Sequence, residues 1–134
     1  MITVAIVAII AGIAIPDLLA ARKAGREAAA ISLMRQIFTA QNLHHQRTGR
    51  YAESDEELVL AGYLNVAPNS FAGPNQVVNG YRYIIQNPTS TFWFVRANPD
   101  EPGITGDRYF VTGPSGVIRF STTGPAGAND PPIE

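Results

Sequence analysis

Residues 1–37 read MITVAIVAIIAGIAIPDLLAARKAGREAAAISLMRQI, and the order in which charge enters this stretch decides the fold. Residues 1–15 carry no charge and are interrupted only by Thr3 and Gly12, and after Pro16 and Asp17 the apolar run resumes as Leu18, Leu19, Ala20 and Ala21. A bilayer core takes roughly 20 predominantly apolar residues at 1.5 Å each, so residues 1–21 approach the length of a transmembrane helix that begins abruptly. A run apolar on all sides has too small a domain behind it to be buried as a core helix. It passes straight into helix-forming sequence instead of ending at a signal-peptide cleavage site, so it is expected to be retained.

From Arg22 the pattern changes without a break. Arg22, Lys23, Arg26 and Glu27 appear, and Ala30, Leu33, Met34, Ile37, Phe38, Ala40 and Gln41 recur at helical spacing. Arg47 places a cation in the last turn and Gly49 supplies a left-handed stop. The spacing predicts one helix from near Met1 to about Thr48, roughly 70 Å long, with residues 1–21 as a membrane or assembly half and residues 22–48 as an amphipathic half. Pro16 removes a backbone donor one turn after Gly12, so the turn between them is expected to kink or melt. Asp17 can accept from the freed N–H groups and restart the helix.

Residues 49–134 form the head. Ser54-Asp55-Glu56-Glu57 before Leu58 reads as a capping box, with Gly62 ending a short helix. Residues 66–79, with Pro68, Gly73 and Pro74, read as loop. The period then switches to two, and strands are expected at 81–85, 92–97, 108–112 and 117–120, joined by turns at 87–90 and 113–115. The short connections imply an antiparallel meander. Residues 98–106 are an exposed excursion, and the Pro- and Gly-rich tail from Gly124 is irregular. The fold class is therefore α+β: a long N-terminal helix packed on a C-terminal antiparallel sheet of three to four strands.

Composition excludes several functions. The 134 residues suit one domain, and a net charge of -1 gives no general attraction to nucleic acid, which is not expected as a main partner. The absence of cysteine removes disulfides and thiolate metal sites. No nucleophile elbow, phosphate loop, zinc motif or dinucleotide fingerprint occurs, so no catalytic residue and no cofactor are expected. His44 and His45 point about 100° apart on a helix and read as surface or helix-end residues, not metal ligands. Asp100, Glu101 and Asp107 share a loop, the one place where calcium could be considered, but they lack the D-x-D-x-D spacing.

Four arginines of the sheet, Arg82, Arg96, Arg108 and Arg119, are expected to point outward as a stripe. Tyr83, Val95, Ala97, Tyr109, Ile118 and Phe120 would then point inward. Phe92, Phe94 and Phe110 would share the outer face, giving a surface for a neighbour, a glycan or nucleic acid. The plainer alternative is a solvated face, or one partly covered by the tail.

The run of residues 5–37, with its apolar helix ending in Ile15-Pro16 before a small-residue, Arg-containing stretch, resembles the N-terminal segment of type IV pilins and of the pseudopilins of type II secretion. Gly49-Arg50-Tyr51, Ala61-Gly62-Tyr63-Leu64, Gly80-Tyr81-Arg82-Tyr83 and residues 116–120 more loosely resemble small bacterial pilin-like heads. The resemblance implies a pilin fold and a structural subunit, not an enzyme. Such a subunit is held in the inner membrane and then polymerised with copies of itself into a helical surface filament by an assembly machinery. Val4, Ala5, Val7, Ala8, Ile10, Ala11, Gly12, Ile13, Ala14 and Ile15 would pack in membrane and filament, the small residues letting helices approach. Gly12, Pro16 and Asp17 would mark the helix break, and Arg22, Lys23, Arg26 and Glu27 are the candidate subunit contacts. The family's basic leader, glycine cleavage point, N-methylated aromatic and nearby glutamate are expected to precede Met1. A periplasmic pseudopilin shares every residue quoted, and a membrane-anchored ligand-binding or adhesin module is the alternative of a different class.

Overall fold

The computed structural model describes residues 2–65, 77–86 and 88–133, and of residues 10–17 and Asp55 the backbone alone. Most of the expected loop at 66–79 and residue 87 of the expected turn lie outside the described residues.

Helix α1 spans Ile2–Thr48, 47 residues. Its N-terminal half interleaves Ile and Val with alanine, the strongest helix former, and it continues through Gly12 and Pro16. The side chains of residues 10–17 lie outside the described residues, and with them the packing expected of Ile10, Ala11, Gly12, Ile13, Ala14 and Ile15 and the cap expected of Asp17. Among the described residues no helix is long and apolar enough to cross a membrane; much of the span expected at residues 1–21 lies outside them. The helix ends as its sequence suggests: Gly49 takes φ 79° and its N–H donates to the His45 carbonyl at 2.8 Å.

The second half of α1 buries one stripe. Ala30, Leu33, Met34, Ile37, Ala40, Gln41 and His44 follow steps of three and four, and all are buried. Helix α2, Asp55–Leu60, lies on this stripe through Leu58 and is capped by Ser54, whose Oγ accepts from the Glu57 N–H at 3.2 Å. The Glu57 carboxylate reaches back to the N–H of Glu53, one residue before the cap. The end of α2 is a Schellman closure: Tyr63 N–H to Leu58 carbonyl and Gly62 N–H to Val59 carbonyl, both 3.0 Å, with Gly62 at φ 81°. Gln41 pins the intervening segment, its side-chain amide exchanging hydrogen bonds with both backbone groups of Ala52. Full burial of side chains such as Ile37 and Leu58 contributes roughly 1.5–3 kcal/mol each.

Four strands form one antiparallel sheet in sequence order: β1 Tyr81–Gln86, β2 Phe94–Pro99, β3 Tyr109–Thr112 and β4 Arg119–Ser121. The fold is the expected α+β arrangement. β2 starts two residues later than the sequence suggests because Thr89 closes a turn around Phe92: its N–H donates to the Phe92 carbonyl and its Oγ1 accepts from the Phe92 N–H. Tyr83, Ala97, Phe110 and Phe120 are cross-strand neighbours on the face toward α1. Tyr81, Trp93, Val95, Ala97 and Phe110 are fully buried there. The tail runs beside β4, where Ile133 N–H donates to Ile118 and Phe120 N–H to Pro131, both at 3.0 Å. It thereby covers an edge that would otherwise present unpaired backbone groups.

The registers correct one expectation. Ile84, Arg96, Val111 and Arg119 line up across the outer face. Phe110 is therefore core, not outer face, and Tyr109 is half-buried on the other side. The reason is phase: β3 begins at Tyr109, after a loop whose length does not reveal which residue enters the ladder first.

Candidate functional site

The N-terminal part of α1 presents apolar side chains with no cover. Ile2 is 79% exposed, Val4 72% and Val7 64%, and Ala5, Ala8, Ile6 and Ile9 are exposed beside them. Leu18 and Leu19 continue the surface towards the head. Single exposed apolar residues are ordinary, but a contiguous set on one rod marks an interaction surface.

Where this rod meets the head, the candidate subunit contacts are drawn inward. Lys23 Nζ lies 3.0 Å from Asp107 Oδ2, and Arg26 Nη1 donates to the Ile104 carbonyl at 3.4 Å. Glu27 is buried: Oε1 accepts from the backbone N–H groups of Asp107 and Arg108, and Oε2 accepts from Arg108 Nε at 2.9 Å. Arg22 remains exposed. Three of the four charges thus fasten the helix to the loop before β3.

That clasp also removes Arg108 from the expected stripe. Its guanidinium lies over the rings of Phe110 and Phe120, 5.2 and 5.4 Å from their centroids, on the helix side of the sheet. Arg82, Arg96 and Arg119 do occupy the outer face, each with a partner. Arg82 pairs with Asp100 at 2.6 Å; Arg96 Nε donates to the Ala126 carbonyl at 3.2 Å and Nη1 to Gln86; Arg119 Nη1 donates to the Asp130 carbonyl at 2.8 Å. The tail therefore partly covers this face, and between it and the 113–117 turn a groove of about 430 Å³ stays open.

Asp100 and Asp107, considered for calcium, are each engaged by a cation, and no group of three or more metal-binding side chains occurs among the described residues. The histidines are placed differently from expectation. His44 is buried, with Nδ1 2.9 Å from the Arg50 carbonyl and Nε2 3.1 Å from Glu57 Oε1, so it ties α1 to α2. Alone, the sequence does not distinguish it from His45, which stacks on Tyr51 at 4.4 Å and bonds the Ser90 carbonyl. The Glu57 carboxyl is pushed up by burial, but the Glu53 N–H and the Arg50 guanidinium outweigh that and hold it below its ordinary value.

The sequence does not single out the links made by His44 and by the tail backbone at Ala126 and Asp130, because each acts through a partner distant in the chain; Glu57 is visible as the last residue of the capping box, but its bonds to His44 and Arg50 are not. Tyr81 and Tyr83 titrate above the usual tyrosine range, chiefly because burial disfavours the phenolate, and both serve packing.

No family model matches the chain. Over 102 residues, 75% of this chain and 77% of the relative, it is 28% identical to the type IV wide pilus major component PilA4 of Thermus thermophilus, and is in that respect similar to a pilin.

Proposed function

We propose that this chain is a structural subunit of a type IV pilus-like surface filament, not an enzyme. The observation that carries the reading is the continuity of α1: the uncovered apolar residues 2–9 project from a helix whose C-terminal half forms part of the core of the head. An apolar rod rigidly attached to a folded head suits assembly by helix packing, and repeated head-to-tail contact between identical copies builds an open fibre. The similarity to a pilus major component supports the same reading. Before assembly, residues 1–21 hold the subunit in the inner membrane; on assembly, contact with neighbouring helices replaces contact with lipid. Val4, Ala5, Val7 and Ala8, with Ile10, Ala11, Gly12, Ile13, Ala14 and Ile15, form the packing surface. The turn from Gly12 to Pro16 bends or unwinds in the filament, because Pro16 leaves one backbone acceptor without its donor. Arg22 is the charge best placed to meet an acidic group of a neighbour. The assembly machinery is the heterologous partner, and no cofactor takes part.

Electron microscopy of cell-surface filaments, with mass spectrometry of the subunit's mature N-terminus, tests the proposal. Filaments containing this chain are expected; cells that make the protein and carry it only as a dispersed periplasmic or membrane species would overturn the pilus assignment. A filament map with a straight, unbroken helix through Gly12 and Pro16 would remove the bend.

A further inference from the structure

The open groove on the outer sheet face has a composition that calls for a ligand. Phe92, 51% exposed, and Phe94 form one wall with ring centroids 6.0 Å apart, and Val117, 40% exposed, faces them from the turn. Arg96 and Arg119 lie on its floor, and no acidic side chain lines it. The register places Val111 between the two arginines, so their backbones are about 10 Å apart. Each guanidinium has more N–H groups than its bonds to Gln86, Ala126 and Asp130 use. Arg96 also lies over the Phe94 ring at 5.0 Å, which orients its planar fork.

We propose that this groove binds an acidic oligosaccharide. Its volume falls in the range of small-ligand sites, about 300–1,000 Å³. Two arginines rising from alternate strands give two cationic anchor points, which favours a ligand with repeated anionic groups, each held by the N–H groups left over from the bonds to Gln86 and the tail. The exposed ring of Phe92 suits the apolar C–H face of a sugar ring between those carboxylates. A nucleic-acid strand is disfavoured because two arginines on a chain of net charge -1 give no basic track along a phosphate backbone. A peptide of acidic residues alone lacks the ring faces that the exposed phenyl accommodates.

The test is binding of an oligogalacturonide to the full chain in detergent, measured by isothermal titration calorimetry. Saturable binding is expected, weakened about 10-fold or more by Arg119→Gln and by Arg96→Gln, and by added salt. Because these arginines also hold the tail, Phe92→Ser provides a variant that removes only an exposed ring, and it too is expected to weaken binding. Arg47→Gln, an exposed arginine at the end of α1 and outside the groove, is expected to leave binding unchanged. Absence of binding, equal binding of a neutral oligosaccharide, equal or tighter binding of oligothymidylate or of oligoglutamate, or indifference to all three groove variants would each overturn the proposal.

Discussion

Glu27 and Arg108, 81 residues apart in the chain, meet at 2.9 Å and close the junction between the long helix and the sheet. The same carboxylate accepts the backbone N–H groups of Asp107 and Arg108, so one helix residue organises the whole entry to β3. A charge that would otherwise be costly to bury is stable here because each oxygen is occupied.

Glu27→Ala is therefore expected to destabilise the fold by about 2–4 kcal/mol, since it leaves Arg108 and two N–H groups without their acceptor. Urea denaturation of the detergent-solubilised chain measures it. Glu27→Gln, which keeps an acceptor, is expected to cost less. A double-mutant cycle with Arg108→Leu should return a favourable coupling, and additivity of the two changes would contradict the clasp.

Glu57 sets an acid limit. Its carboxyl lies below the ordinary glutamate value in the folded chain, because bonds from Glu53 and Arg50 outweigh burial. A depressed folded value means that the unfolded chain takes up the proton first, so the contribution is complete at neutral pH and fades as pH falls below about 4. The stability gap between wild type and Glu57→Gln should accordingly be largest near pH 7 and shrink towards pH 3 in denaturant titrations.

Much of this architecture is legible in local sequence. The charge-free run, the steps of three and four from Ala30 to Ala40, the Ser54 cap, and the stops at Gly49 and Gly62 each act within a few residues, and helix and turn chemistry is local. The four strands follow from their β-branched and aromatic runs, although the Thr89 turn shifted the start of β2. What the sequence does not disclose is partnership across the fold. Glu27 reads like its neighbours Arg22 and Lys23 on a solvated face, yet it is buried against a loop 80 residues away. Arg108 shares the helix side with Phe110, as alternation requires, and what local sequence does not disclose is the phase in which β3 enters the ladder. His44 differs from His45 only in which face of α1 it occupies, and the stripe read as far as Gln41 runs one step further to bury it.

Two glycines should respond to alanine with opposite sign. A Cβ on Gly106 would lie 2.1 Å from the hydroxyl of Tyr81, which is fully buried and donates to the Arg108 carbonyl at 2.9 Å. Neither ring nor strand has room to retreat, so Gly106→Ala is expected to cost about 1–3 kcal/mol. Gly25 lies inside α1 with nothing within 4 Å of the added methyl, and Gly25→Ala should stabilise by about 0.5–1 kcal/mol. Thermal melts of the two variants compared with wild type provide the check.

The last expectation separates assembly from folding. Val7 is 64% exposed and lies far along the rod from the residues that form the core. Val7→Asp therefore removes no contact within the subunit, and the melting temperature of the head should stay within about 2 °C of wild type. In a filament the same carboxylate would be forced among apolar helices without a partner, a cost of several kcal/mol per ion. Electron micrographs of cells making the variant should show no filaments containing it, while a surface-exposed change such as Glu56→Gln leaves them intact. Normal filaments of Val7→Asp would place the polymerisation surface elsewhere and detach the apolar half of α1 from the assembly role.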